Sequence, residues 1–435
     1  MTVTEPDSSF TRLLTTVSES LASAFRPFLD PLARQARQDR ELREFLGSEH
    51  FVVREHVFEQ LEVLNALWAV RCWTSRGSGA GPVVLPLRDV DFVKHPTHTE
   101  VEVGPGRREA CLSAGRVLFE CEGRRCAVEI RERTRALYEE VVVDLIAGSD
   151  GDLDEVAAAF RKALHECDPT RGQHLTFDKA GLGFMEPHGV TWDDVVLPDG
   201  TRDEIRRNVT AFLRAHQDGD AVPLPTSRSL LLSGPPGTGK TLVGKALTSE
   251  LEGITFLWVT PGGFEHHGDP GYFFRWARER APAVVFLEDL DLVAEIRGTS
   301  STHGLGELLA QMDGFKANDG LVIIATTNQP EAIDEALKRP GRFDRHLAFK
   351  LPDEEGRRRI LSRLLVTLPG EPEVFLDRLV TETGGFSGAH LRELVDTLVL
   401  LQLEEGRPGE PLSEAHVDQA LAAVHRSRGD LGFQR

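Results

Sequence analysis

The hydrophobic pattern changes character along the chain, and the change falls near Gly189. From Phe10 to Phe45 apolar residues recur at helical spacing (Leu13, Leu14, Val17, Leu21, Phe25), with breaks at Pro27 and Pro31. A second helix is predicted from Val52 to Trp73, with Val57, Leu61, Leu64, Leu67 and Trp68 as its buried face. The flexible stretch Ser75 to Gly81 follows it. The period then shortens. Val83 to Leu87, Glu100 to Val103, Arg116 to Phe119 and Arg125 to Ile130 read as strands, with Glu122-Gly123 as a hairpin turn. A further strand is predicted over Val141 to Ile146 and a helix over Leu153 to His165. Residues 1–185 are therefore expected to form an α+β domain, and no chemical motif is found in them.

Beyond Gly189 strand and helix patterns alternate. Trp192 to Leu197 reads as an entry strand or turn, and Arg202 to Ala215 as an amphipathic helix carrying Ile205, Val209, Phe212 and Leu213. The runs Leu230–Leu232, Thr255–Val259, Ala283–Leu287 and Leu321–Thr326 are short and apolar, and Tyr272 to Arg280 is helical in pattern. Apolar strands without alternation fit a parallel sheet covered on both faces, so an α/β fold is predicted.

Composition narrows the class of partner. With 435 residues there is room for two or three domains, and the formal charge of −19 disfavours a nucleic-acid surface. No apolar run approaches the roughly 20 residues that cross a bilayer. Met1 to Ser9 carries acids and no apolar core, so a secretory signal is not expected. The five cysteines (Cys72, Cys111, Cys121, Cys126, Cys167) lack metal-ligand spacing, and reduced thiols in a cytoplasmic protein are the expectation.

The chemistry lies where the first apolar run ends. Leu230 to Leu232 empties into Ser233-Gly234-Pro235-Pro236-Gly237-Thr238-Gly239-Lys240-Thr241, and a helix opens through Leu242 to Glu250. This is G-x-x-x-x-G-K-[ST] between strand and helix, the phosphate loop of a P-loop NTPase. Glycines let backbone N–H groups converge on phosphate oxygens, and the helix start adds partial positive charge. Lys240 is placed to reach β- and γ-phosphates, and the Thr241 hydroxyl to help hold Mg²⁺. The strand Ala283–Leu287 ends in Glu288-Asp289-Leu290-Asp291, carboxylates that suit a metal ion and an attacking water. Leu321–Thr326 ends in Thr327-Asn328, a polar residue where a γ-phosphate or water would sit. Lys338 to Arg345 is a basic turn, either a solvated loop or a source of arginine for a neighbour's triphosphate.

In order and spacing, Gly234–Thr241, Glu288-Asp289, Asn328 and Gly341-Arg342-Phe343-Asp344-Arg345 resemble the AAA+ ATPases, specifically the AAA clade that remodels proteins. Leu308 to Phe315 resembles that clade's inter-subunit signalling segment, and Phe386 to Leu391 the lid motif whose Gly388 and Ala389 contact nucleotide. The resemblance implies ATP and Mg²⁺ as cofactors, held by Gly234 to Leu242 together with Gly388 and Ala389. It makes Asn328 a first sensor and Arg342 and Arg345 arginine fingers. Thr241 and Glu288 would face the metal, and Asp289 the water. An AAA+ core over residues 186–351 and a helical lid over 352–435 are implied, with lid helices Glu354–Leu365, Gly388–Leu403 and Ser413–His425. A homo-oligomeric ring, six subunits by the family's habit, and an unidentified protein client follow from the same resemblance.

The chain also departs from the clade. The usual acidic pair is Asp-Glu, whereas Glu288-Asp289 is reversed, as in the mitochondrial AAA proteins that export a folded iron–sulfur subunit. Val195-Val196-Leu197 replaces a Gly-Gly ending on the adenine side, and Leu364 stands where the lid usually has histidine. In the loop Pro261 to Pro270, His266-His267-Gly268 occupies the place of the clade's client-gripping triplet. Two readings of it stand: a polar loop without grip, or a grip made by Phe264 and His266. The expected activity is ATP hydrolysis coupled to remodelling a protein. The competing class is a slow, ATP-binding regulatory switch or scaffold.

Overall fold

A computed structural model describes residues 40–435 apart from 60, 77–81, 86, 90–91, 95, 136–137, 187, 219–226, 268–269, 296–318, 331–341, 405–409 and 431–435. The chain divides into two compact units, Met1–Pro169 and Thr170–Arg435.

In the first unit the helix expected from Val52 begins instead as a strand. Strand β1 (Val52–Glu59) alternates half-buried Val52, Arg54, His56 and Phe58 with exposed Val53, Glu55, Val57 and Glu59. That is period two, and only from Leu61 does the period become helical, giving α1 (Leu61–Ser75). After β2 (Val83–Leu85), β3 (Leu87–Asp89) and β4 (Phe92–Lys94) come four strands joined as hairpins: β5 (Thr97–Gly104), β6 (Arg107–Cys121), β7 (Arg124–Arg135) and β8 (Tyr138–Ala147). The turn Glu122-Gly123 has positive φ at both residues, as a two-residue hairpin loop requires. The antiparallel order is β1-β8-β7-β6-β2, with β5 on the remaining length of β6. Helix α2 (Asp150–Glu166) is capped by Ser149, whose Oγ accepts the Asp152 N–H at 3.2 Å. Trp73 of α1 and Phe160 of α2 meet Val128, Val143 and Leu145 in one apolar core. The helical periodicity expected from Phe10 lies outside the described residues as far as residue 39.

The second unit starts earlier than residue 185. The hairpin β9 (His174–Asp178) and β10 (Gly181–Phe184) belongs to its sheet, because β9 runs parallel to β12 from Phe256↔His174 to Val259↔Phe177. Of the two readings of Trp192 to Leu197, entry strand or turn, the structure has a 3₁₀ turn at Trp192–Asp194. Helices α3 (Thr201–Arg206) and α4 (Phe212–Asp218) are joined by a π-helical turn, and Ile205, Val209, Phe212 and Leu213 are all buried. Then follow β11 (Ser227–Ser233), α5 (Lys240–Glu250), β12 (Thr255–Val259), α6 (Pro261–His267), α7 (Pro270–Arg278), β13 (Ala283–Leu287), α8 (Leu290–Glu295), β14 (Leu321–Thr327) and β15 (Arg345–Ala348).

The sheet order is β10-β9-β12-β13-β14-β11-β15, parallel throughout except for β10. Every residue of β12, β13 and β14 is buried, which explains the unbroken apolar runs. Helix α5 lies directly on this sheet: a Cβ at Gly244 would fall 2.7 Å from Phe286 and 2.8 Å from Trp258. Burying a ring such as Phe286 stabilises the fold by about 1.5–3 kcal/mol, so even one methyl of intrusion there is costly. After β15, helices α9 (Glu354–Leu365), α10 (Leu376–Glu382), α11 (Gly388–Glu404) and α12 (Glu414–Asp430) enclose a separate core of Leu361, Phe386, Leu391 and Leu421.

Candidate nucleotide site

The loop after β11 follows the path that its glycines allow. Gly234, Gly237 and Gly239 all have positive φ (147°, 74° and 98°), a region that L side chains rarely enter. At Gly234 a Cβ would lie 2.1 Å from the Phe349 carbonyl oxygen, and at Gly237 it would lie 2.6 Å from the Ala389 Cβ. The Gly234 N–H donates to the Thr327 carbonyl at 3.2 Å, tying the loop to the end of β14. Gly239 caps α5, so Lys240 and Thr241 are its first residues and Leu242 is exposed beside them. Lys240 is 5% exposed, and its Nζ donates to the carbonyls of Gly234 (2.7 Å) and Pro235 (2.9 Å). Burial pushes its ammonium below the usual lysine range, against the opposing pull of Asp289 and Asp291. Such an ammonium is held inside the loop's curve, ready for an anion.

The ends of β13 and β14 bring the carboxylates to this loop. Thr241 Oγ1 donates to Glu288 Oε1 at 3.0 Å, and Asn328 Nδ2 donates to Asp289 Oδ1 at 3.0 Å. The Asp289 N–H donates to Thr326 Oγ1 at 3.0 Å, and its φ of +46° is left-handed, a strained value for a residue with a side chain. Burial raises the Asp289 carboxyl above the usual carboxylate range, and the negative neighbours Glu288 and Asp291 add to it. Asp291, at 4% exposure, accepts the Asn328 N–H at 3.3 Å. It acts as a brace for Asn328.

The helical region reaches the same loop. The Ala389 N–H donates to the Gly237 carbonyl at 3.2 Å, and a Cβ at Gly388 would lie 3.2 Å from that oxygen. Ser387 is positioned by His390, whose Nδ1 accepts the Ser387 N–H at 3.2 Å. On the far side, Arg363 Nη2 donates to Asp194 Oδ1 at 2.6 Å, joining α9 to the segment before Val195. Thus Gly234–Thr241, Glu288, Asp289, Asn328, Gly388 and Ala389 gather at one place.

The two arginines do not. Arg345 pairs with Leu230 and Ala348 with Ser233, so Arg345 begins β15 three residues, about 10 Å, back from the loop edge. Arg342 is half-buried just before it, with its carbonyl accepting the Ser229 hydroxyl. Residues 338–341 of the basic turn and the signalling segment from Leu308 to Phe315 lie outside the described residues.

Pro261 to Pro270 is not a loop throughout. Residues Pro261–His267 form α6, and the Phe264 ring packs 5.9 Å from Phe177 and 5.4 Å from Phe273. A Cβ at Gly263 would meet the Phe177 carbonyl at 2.6 Å, so this helix presses on β9 and holds Phe264 inward. Phe264 is thus half-buried against aromatic neighbours, while the side chains of His266 and His267 lie outside the described residues.

One contact to the site was not foreseen from the pattern. Trp258 Nε1 donates to Glu288 Oε2 at 3.1 Å, so both oxygens of Glu288 are engaged. A tryptophan near the end of a buried strand was its only signal, and such residues are usually core.

The donor set suits a triphosphate with Mg²⁺. A bare-backbone glycine turn, the Lys240 ammonium and hard oxygen donors from Thr241 and Glu288 are together. Among the described residues no group of three or more His, Cys, Asp or Glu is placed to hold a metal ion by itself.

Residues 230–351 match the family described as "ATPase family associated with various cellular activities (AAA)". Three curated relatives are proteins named ATP-dependent zinc metalloproteases. FtsH of Burkholderia pseudomallei is 35% identical over 271 residues, covering 57% of this chain and 40% of that protein. The chloroplastic FTSH 2 of Oryza sativa subsp. japonica is 36% identical over 268 residues, covering 58% and 39%. FtsH of Ralstonia pickettii is 36% identical over 259 residues, covering 57% and 36%. The aligned part thus spans about two fifths of these relatives.

Proposed function

From the premise that the chain carries an AAA ATPase domain, an enzyme that hydrolyses ATP and uses Mg²⁺, we propose that it works as a head-to-tail ring on a protein partner. Its own residues divide the work. Gly234 to Thr241 cradle the triphosphate, Leu242 and Ala389 flank the nucleotide, and Glu288 with Thr241 faces the metal. Asp289, held by Asn328, orients the attacking water. Held by Thr241 and Glu288, Mg²⁺ would supply neutralisation of the charge that develops on the phosphate oxygens.

The observation that carries the ring is the register of β15. An Arg345 set about 10 Å back from its own loop is poorly placed for its own triphosphate. That supports a role toward a neighbour's triphosphate in a heterologous, closing assembly. Six subunits are expected from the clade resemblance. The relatives named as proteases support a protein as the object of the work, and five free cysteines support a reducing, cytoplasmic compartment. Among the described residues no helix is long and apolar enough to cross a membrane.

Phe264, half-buried against Phe177 and Phe273, favours moving a folded cargo over threading an extended one. The reversed order Glu288-Asp289 points the same way through its resemblance to the exporters of a folded subunit. That reversed pair also favours a second reading, a slow switch, because Asp289 is a methylene short for the water. Sedimentation with and without ATP, and ATP turnover with and without candidate protein clients, test the proposal, with Lys240→Ala as the control that binds no ATP. Client-stimulated turnover by an ATP-dependent oligomer is expected. A monomer with full activity overturns the ring, and stoichiometric binding with a trickle of turnover leaves the switch.

A further inference from the structure

The acidic pair is reversed, yet Glu288 still faces Thr241, so something must hold a longer and looser side chain where a shorter one usually serves. Glutamate has one more methylene and one more torsion than aspartate, and ordering it costs side-chain entropy. The structure places a rigid donor at that point. Trp258 Nε1 donates to Glu288 Oε2 at 3.1 Å while Thr241 Oγ1 donates to Oε1 at 3.0 Å. With a donor on each oxygen, the plane of the carboxylate is set.

The indole itself is closely packed. Trp258 is 6% exposed, stands opposite Phe286 in the β12–β13 register, and its ring centre lies 4.5 Å from that of Phe286. Phe256 and His188 flank it at 6.1 and 6.2 Å. From above, α5 comes so close that a Cβ at Gly244 would lie 2.8 Å from the indole. The backbone of Glu288 is tied to the same strand, its N–H donating to the Val259 carbonyl at 2.9 Å. An indole needs a partner for its N–H when buried, and here the partner is the carboxylate that faces the metal.

We propose that Trp258 is a positioning residue for metal binding, matched to glutamate at position 288. The inference rests on the ATP- and Mg²⁺-using reading of the site. Trp258 acts through Glu288, to which its Nε1 donates, in the way partners of a ligand tune its metal. Trp258→Phe keeps a large ring in the core and removes only the N–H donor. A hydrogen bond to a charged group is worth enough to change a linked equilibrium by about ten-fold or more.

The test is a titration of Mg²⁺ against binding of a fluorescent ATP analogue, with metal-free binding of the same analogue and thermal melting measured alongside. In Trp258→Phe the Mg²⁺ concentration for half-maximal enhancement should rise about ten-fold, while metal-free binding stays within two-fold. Phe256→Leu serves as the packing control: its melting temperature should fall, but its Mg²⁺ midpoint should stay. A shorter Asp at 288 draws away from the indole, so Trp258→Phe added to Glu288→Asp should shift the midpoint little further. An unchanged midpoint in Trp258→Phe, or shifts that simply add in the double variant, overturn the inference while leaving the ATPase reading intact. A wild-type protein whose nucleotide binding ignores Mg²⁺ overturns both.

Discussion

Replacing Asp289 by asparagine should slow hydrolysis and stabilise the protein at the same time. The substitution is nearly isosteric and isolates the charge. Asn328 Nδ2 donates to Asp289 Oδ1 at 3.0 Å, and an asparagine Oδ1 accepts the same bond. The backbone at this position has φ +46°, which asparagine tolerates as well as aspartate does. What changes is a half-buried carboxylate flanked by Glu288 and Asp291, whose ionised form the fold disfavours. Losing the group that orients and deprotonates water should lower turnover at least ~100-fold, about 2.7 kcal/mol of barrier. Removing a disfavoured charge at a functional site should add on the order of 1 kcal/mol of stability. For a domain of this size that is a rise of roughly 2–4 °C in melting temperature. The assay is steady-state phosphate release beside nucleotide affinity and thermal melting without nucleotide. Slow turnover, unchanged ATP affinity and a higher melting temperature are expected together. Near-native turnover in Asp289→Asn with loss in Asp291→Asn would move the catalytic role to Asp291. A fall in both activity and stability would mean that the charge is structural and refute the reasoning.

Arg342→Ala and Arg345→Ala should each bind ATP normally and lose turnover. Mixed with Lys240→Ala subunits, their activity should depart from a simple average, since the two defects lie on opposite sides of one interface; averaging would refute in-trans arginines. Gly237→Ala adds a Cβ 2.6 Å from Ala389 on top of a φ of 74°, whereas Gly239→Ala meets nothing within 4 Å at a φ of 98°. Both carry backbone strain of roughly 1–2 kcal/mol, but Gly237→Ala should weaken nucleotide binding at least about ten-fold more, measured by fluorescence anisotropy; equal losses would deny the Ala389 contact. Burial holds His174 below the usual histidine pKa, outweighing its bond to the Leu251 carbonyl. The unfolded chain therefore takes up the proton first, so stability is full above about pH 6.5 and falls as acid is added, by at most ~1.4 kcal/mol per pH unit for this one group. His174→Gln should flatten that acid limb in urea titrations, and an unchanged slope would assign it to other groups.

The phosphate loop was legible in the sequence because its chemistry is local. Gly234, Gly237 and Gly239 are dictated by backbone angles and close approach, and Lys240 and Thr241 by their place at a helix start, all within one short stretch. The buried strands β12, β13 and β14 were legible too, since a strand covered on both faces has no polar position to interrupt it. Where two periods overlap, pattern alone misled: Val57 and Leu61 fit one helix, yet the alternation of Val52 to Glu59 belongs to an edge strand pairing with residues about 90 positions away. The hairpin β9–β10 was not legible at all, because a short strand does not say which sheet edge it will extend. Phe264 looked available in the sequence, and only the approach of α6 to β9 set its ring against Phe177 and left it half-buried. Trp258 and Glu288 are thirty residues apart with no spacing rule between them; their hydrogen bond exists because β12 and β13 lie side by side in register. The separation of Arg345 from its own loop is likewise a consequence of its pairing with Leu230, decided by the sheet and by nothing within the turn itself.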